Sequence, residues 1–262
     1  MSGWQLSGDA PSLYIRFASA FMEPWTDDLI RQAKCKEGDR VLDLACGTGF
    51  VATRVNEVSG ATCQITGLDV NEGMLNAARR NTSIDWRLGS ALEIPFPDGS
   101  FDVVLCQQGL QYFSDRQLAM KEIARVLSPG ARVSLNVWGA MERHAFVMPF
   151  VEALGVFLGA EAKSAFDLAY SLNTREELHA LSAGAGLRDA KVRFEQRTIR
   201  APDVAEFAMG FVQASPVAAK YMALPDNEKA KFGAYIANKL TGYVDDAGMA
   251  APKENHFLLA AR

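Results

Sequence analysis

Apolar residues fall in two rhythms along this chain. Over residues 36–140, short runs of Val, Leu and Ile alternate with stretches of helical spacing. Residues 41–44, 64–68, 84–88, 101–106 and 132–138 read as strands, and the run after Asp102 is continuously apolar, as expected of a strand covered on both faces. Helices are predicted at 50–58, at 71–80 with Asn71 as N-cap, and at 117–127, closed by Ser128-Pro129-Gly130. Residues 94–100 form a loop by their prolines and Asp98-Gly99 turn. Ahead of this region, residues 11–34 look helical, with an interruption near Pro24.

After Gly139 the rhythm changes. Residues 145–158 and 163–170 look like amphipathic helices with no strand between them, and Thr174 caps a further helix to Ala183. Residues 191–200 alternate as a strand with one wetter face, two or more helices follow between Pro202 and Gly242, and 256–261 make a terminal strand. The pattern implies an α/β class. A doubly wound, mostly parallel seven-stranded sheet has its last strand antiparallel and helices on both faces. Residues 1–262 are expected to form a single domain, with helical insertions at about 140–171 and 202–248 capping the strand ends.

Composition narrows the partners. A net charge of −4 without a Lys/Arg stripe lacks the electrostatic footprint of a nucleic-acid binder. No apolar run reaches the length of a membrane span, and the N-terminus lacks a basic segment followed by an apolar core, so a cytoplasmic location is expected. Cys35, Cys46, Cys63 and Cys106 show no Cys-x-x-Cys spacing, and neither disulfides nor a metal site is expected.

The chemistry concentrates at Val41-Leu-Asp-Leu-Ala-Cys-Gly-Thr-Gly-Phe50, a strand running into a glycine turn. Gly47, Gly49 and Ala52 match a loose dinucleotide fingerprint, and Asp69 lies about 20 residues beyond, where a carboxylate can accept hydrogen bonds from ribose hydroxyls. Asp43 separates two readings. A pyrophosphate resting on a helix N-terminus would be opposed by a carboxylate just ahead of the turn. A cationic α-ammonium group would be favoured by it, directly or through the loop's geometry. Asp43 could also serve only the loop amides.

Four segments together resemble the class I S-adenosylmethionine-dependent methyltransferases, over residues 36–140. These are Val41–Gly49; Ile65-Thr-Gly-Leu-Asp-Val-Asn-Glu-Gly-Met-Leu75; the stretch from Gly89 through Ile94-Pro-Phe-Pro-Asp-Gly-Ser100 to Val104; and Arg125-Val-Leu-Ser-Pro-Gly130. The nearest group resembles the small-molecule enzymes of ubiquinone and menaquinone biosynthesis. The resemblance implies S-adenosyl-L-methionine as donor and S-adenosyl-L-homocysteine as product. It places Ala45, Gly47 and Gly49 along the methionine moiety, Asp69 on the ribose, and Val70 and Met74 against the adenine. It also places Ala91 and Leu92 beside the adenine and Gln107 at the methionine end. Ser90 stands where the family usually has Asp, and a Ser can still accept a hydrogen bond there.

The acceptor is less legible. Methyl transfer needs alignment and exclusion of water, and a base only where the acceptor must lose a proton. Gln107-Gln-Gly-Leu-Gln-Tyr-Phe113 follows the fourth strand and either orients a polar acceptor or, at Gln111 and Tyr112, just caps the next element. His144 is the candidate base and Tyr14 a candidate lid over the methionine end; the alternatives are an exposed helix-start histidine and simple packing of Tyr14 with Phe17. His179 and His256 are poorer bases by position. Phe146, Met148, Phe150, Phe157, Phe207, Met209, Phe211, Tyr221 and Met222 read first as core, yet a cavity beneath them would suit a small, partly apolar acceptor. Two alternatives stand beside methyl transfer: an NAD(P)-dependent oxidoreductase using the same turn, opposed by Asp43 and without a Tyr-x-x-x-Lys pair, and a non-catalytic adenosylmethionine-binding protein.

Overall fold

In a computed structural model, residues 19–81, 83–215 and 217–262 are described. The elements in order are α1 (Ser19–Ala33), β1 (Arg40–Leu44), α2 (Phe50–Val58), β2 (Gln64–Asp69), α3 (Glu72–Ala78), β3 (Asp85–Leu88), β4 (Phe101–Gln107), α4 (Arg116–Val126) and β5 (Leu127–Trp138). Then come α5 (Val147–Leu158), α6 (Ala160–Ser164), α7 (Arg175–Gly184), β6 (Arg188–Ala201), α8 (Val204–Gln213), α9 (Ala218–Met222), α10 (Asp226–Lys239), β7 (Val244–Asp245) and β8 (Gly248–Ala261). The strands form one sheet in the order β3-β2-β1-β4-β5-β8-β6. The first five are parallel, and β8 runs antiparallel between β5 and β6. The seven expected strands are present; the eighth, two-residue β7, pairs only with β8.

Period-two alternation sends side chains of the central strands to opposite faces. Val41, Val103 and Leu105 pack with Trp25 and Leu29 of α1 and Val51 and Val55 of α2. Leu42, Leu44, Val104 and Cys106 pack with Met120, Ile123 and Val126 of α4. The caps act as expected: Asn71 accepts from the Met74 N–H, and Thr174 from that of Glu177. Arg125 fixes the proline-rich loop by donating to Ile94 O and Phe96 O at 2.8 Å and to Asp98 at 2.9 Å.

Three local expectations change. Helix α1 continues through Pro24, because Trp25, Leu29 and Ala33 are buried on one stripe and that packing offsets the lost backbone bond. The 163–170 stretch divides into α6 and a 3₁₀ turn at Asp167–Tyr170. The last strand starts at Gly248 and not His256; Pro252 is tolerated because β8 pairs there with β6 alone, β5 joining only from Asn255. Residues 11–18 lie outside the described residues.

Candidate active site

A cavity of about 350 Å³ opens at the carboxyl ends of β1, β2, β4 and β5, where strand order reverses around β1. The turn after β1 carries left-handed backbone at Ala45 (φ 58°), Gly47 (φ 54°) and Gly49 (φ 82°). Ala45 and Gly47 line the cavity. A side chain at Gly47 would meet the Met74 methyl at 3.3 Å. Gly109, after β4, comes so close to Ala45 that a Cβ on it would lie 2.7 Å from the alanine Cβ.

Asp69 ends β2 at the cavity wall. One carboxylate oxygen accepts from the Gly47 N–H and the other from that of Asn71, both at 2.8 Å. The group thus bridges two loops while each oxygen keeps acceptor capacity toward the cavity. Burial raises its pKa, opposed by the amide hydrogen bonds from Asn71, Gly47 and Val70.

Val70, Met74, Ser90, Ala91 and Leu92 line the same end. Val70 is 56% exposed, an apolar side chain left open beside the buried Met74. Ser90 Oγ accepts from the Leu92 N–H at 3.1 Å. Gln107 also lines the cavity, but its amide is engaged: Oε1 accepts from Thr26 Oγ1 at 2.8 Å and Nε2 donates to Met22 O at 3.0 Å. That pair latches α1 to the sheet edge.

Two expected donor-site residues face elsewhere. Gly49 is not among the lining residues; a Cβ there would collide with the Trp86 indole at 2.3 Å. Asp43 is likewise behind the wall, buried, and accepts from the Ala52 N–H at 3.0 Å. Burial pushes its carboxyl up to about 8, partly opposed by that hydrogen bond and reinforced by the charge of Asp69. A folded-state pKa above the unfolded value favours folding below about pH 4, an advantage lost as pH rises toward 8. Asp43→Asn keeps an acceptor for Ala52 and cannot ionise. Its unfolding free energy is expected to gain on wild type between about pH 5 and pH 8, by roughly 1–3 kcal/mol; parallel pH curves in denaturation experiments would refute this.

His144 is buried 5.1 Å from the Tyr170 ring, and its Nε2–H donates to Gly139 O at 3.2 Å. Burial drives its pKa down to about 3, and it does not line the cavity. The exposed alternative is also corrected: the side chain is packed between aromatic rings, Trp138 being the other. Tyr14 and Phe17 lie outside the described residues. Gln111 does not line the cavity but donates to Oε1 of Gln108, which does, at 2.8 Å, and Tyr112 lines it directly.

Six aromatic rings line the cavity: Tyr112 and Phe113 in the segment after β4, Trp138 of β5, and Phe166, Tyr170 and Phe211 from segments that follow β5. Of the nine Phe, Met and Tyr residues read as possible pocket lining in the helical segments, only Phe211 reaches it. Phe150 instead centres a ring cluster, 5.0 Å from Phe211, 5.2 Å from Phe166 and 5.9 Å from Phe232. Of the three glutamines from the end of β4 onward, Gln107 and Gln108 line the cavity, and sequence reasoning missed Lys253. Gln108 takes φ 56° just past β4, lines the cavity and donates to Asn255 Oδ1 at 3.0 Å. Lys253 lies within β8, ahead of the strand expected to start at His256, and is 2% exposed with Nζ 3.3 Å from the Trp138 ring centroid. Among the described residues, no cluster of His, Cys, Asp or Glu is placed to hold a metal, and no helix is long and apolar enough to cross a membrane.

A glycine turn, a carboxylate at the next strand's end and an apolar cavity thus meet at the switch point of the sheet. Comparison with known proteins gives the family. The methyltransferase-domain family matches residues 42–135. The chain is 34% identical over 186 residues to the chloroplastic 2-phytyl-1,4-beta-naphthoquinone methyltransferase of Arabidopsis thaliana, covering 63% of this chain and 70% of the relative. It is 30% identical over 185 residues to the demethylmenaquinone methyltransferase of Staphylococcus aureus, covering 64% and 76%. Its fold matches Haemonchus contortus phosphoethanolamine N-methyltransferase 2 in complex with S-adenosyl-L-methionine, with TM-score 0.58 and 19% identity over 98% of this chain and 60% of that one. The chain belongs to the class I S-adenosylmethionine-dependent methyltransferases, in the group related to the quinone methyltransferases.

Proposed function

We propose that this enzyme methylates a ring carbon of a naphthohydroquinone bearing an apolar tail, with S-adenosyl-L-methionine as donor. The observation that carries the reading is one cavity running from Asp69 and Gly47 at one end to Trp138, Phe166, Tyr170 and Phe211 at the other. The first end suits the donor: Asp69 for the ribose hydroxyls, Val70, Met74, Ala91 and Leu92 for the adenine with Ser90 at its polar edge, Ala45, Gly47 and Gln107 for the methionine chain. Asp43 and Gly49 support this end from behind, through the loop. When bound, the donor supplies an electrophilic methyl group on a sulfonium.

The second end suits a flat apolar ring. The names of the plant and staphylococcal relatives point to naphthoquinones as acceptors. A quinone ring is too electron-poor to attack a sulfonium methyl, so the reduced hydroquinone is the nucleophilic form. The enclosing side chains align the ring and keep water out. The helical segments 140–171 and 202–248 act as the cap of a single domain.

The test is methyl transfer from labelled donor to reduced 2-phytyl-1,4-naphthoquinone, alongside a catechol and a primary amine as competing acceptors. Label on the naphthohydroquinone ring is the expected result; label only on the other acceptors, or none, would overturn the acceptor. Calorimetry should show S-adenosylhomocysteine binding and no NAD(H) binding.

A further inference from the structure

Lys253 is the observation the proposed reaction leaves unused. A lysine is rarely buried within a strand, because its charge is costly to desolvate. Here the strand alternation of β8 places Met249, Ala251, Lys253 and Phe257 on the same face of the sheet as Trp25. The amine lies over Trp138 and lines the cavity at its aromatic end, beside Phe166, Ala169 and Tyr170. His144, the base expected from the sequence, is outside that wall.

We propose that Lys253 is the general base of methyl transfer, its Nζ taking the hydroxyl proton of the acceptor as the ring carbon is methylated. The inference rests on the naphthohydroquinone reading above. The ring carbon bonds to the methyl carbon as the carbon–sulfur bond breaks, and the hydroxyl proton passes to Nζ. The ring hydrogen then leaves to solvent as a proton, Nζ returns its proton to the oxygen, and aromaticity is restored. Ring C–H becomes C–CH3, one proton is released, and nothing is oxidised or reduced.

Charge conservation in the cavity favours a neutral amine for this task. One positive charge disappears from sulfur as one appears on Nζ, so a site built around a single cation holds a single cation throughout. Burial drives the Lys253 pKa well down, which supplies the neutral form before reaction. Other ionisable groups near it are Tyr170 on the cavity wall, His144 packed against Tyr170 outside that wall, Arg197 opposite it in register on β6, Asp28 of α1 bound to Arg197, and Glu254 and His256 on β8 itself. Asp69 faces the cavity from its other end, and Asp43 titrates at about 8 behind the wall.

Two measurements decide the role. The first needs no turnover: in protein carrying ¹³C at lysine Cε, one resonance should titrate far below the others and vanish in Lys253→Met. Normal titration of every lysine would overturn the proposal. The second uses reduced 2-phytyl-1,4-naphthoquinone. Lys253→Met and Lys253→Arg should each lower kcat about 100-fold or more, with S-adenosylhomocysteine affinity within about threefold of wild type. Wild-type kcat should fall as pH drops through the lysine pKa, because the ammonium cannot accept a proton. In Lys253→Met that limb should vanish, and the rate should climb toward the hydroxyl's own pKa, about 10. Asp43 and Asp69 remain in both variants, so a limb they cause would persist and would overturn the assignment. Activity retained in Lys253→Arg would assign the cation to anchoring and not to base catalysis. A wild-type enzyme that leaves the naphthohydroquinone unmethylated would instead overturn the acceptor reading, and the lysine's task with it.

Discussion

Asp69→Ala is expected to weaken S-adenosylhomocysteine binding by about 100-fold or more. Hydrogen bonds from two ribose hydroxyls to a carboxylate are worth about 1.5–3 kcal/mol each, and about 1.4 kcal/mol is a factor of ten. A second loss adds to the first. Asp69 also accepts from the Gly47 and Asn71 amides, so its removal frees the turn that borders the methionine end. Melting curves separate the two effects, because both amides lie at the cavity wall where water can replace the lost acceptor. Stability should fall by about 1–2 kcal/mol, far less than the loss in affinity. Affinity within threefold of wild type, measured by calorimetry on folded protein, would remove Asp69 from the ribose.

Gly49→Ala should do the reverse. Its φ of 82° costs a residue with a Cβ about 1–2 kcal/mol. That Cβ would stand 2.3 Å from the Trp86 ring, and overpacking of this kind adds about 1–3 kcal/mol. Trp86 cannot step aside freely: its Nε1–H donates to Asn81 O at 2.8 Å, and a Cβ on Gly67 would meet the same ring at 2.3 Å. Gly49 and Gly67 together form the slot that seats the indole. The expected outcome is a loss of roughly 2–5 kcal/mol in chemical denaturation, with donor affinity of the folded fraction nearly unchanged. Gly47→Ala gives the contrast, since its Cβ would press on the flexible end of Met74 beside the cavity. It should lose affinity more than stability. If Gly49→Ala instead abolished binding while leaving the denaturation midpoint in place, the glycine would belong to the ligand and not to Trp86.

The glycine fingerprint therefore has two physical origins that look the same in the sequence. A pattern of glycines reports that side chains are excluded; only the packed structure tells which neighbour excludes them. Asp43 teaches a similar lesson. Its position ahead of the turn drew attention to a cation, while the folded chain aims it at the Ala52 amide behind the cavity wall.

What the sequence determined by itself is the sheet and the turn-and-carboxylate end of the cavity, at Gly47 and Asp69. Strand runs, the helix caps at Asn71 and Thr174, and the four spaced motifs are local signals. Each is set by backbone preference or short-range hydrogen bonding, so each could be read without knowing what packs against it. The aromatic end was decided by tertiary structure alone. Trp138, Phe166, Tyr170, Phe211 and Lys253 come from β5, the Asp167–Tyr170 turn and its approach, α8 and β8, and no spacing along the chain links them. His144 and Lys253 exchanged places for the same reason. A histidine after a strand looks reactive and a lysine in a polar stretch looks solvated, but burial and direction are properties of the fold. The sequence names the residue types, and the packing of β8 against β5 and β6 decides that the amine, not the imidazole, faces the cavity.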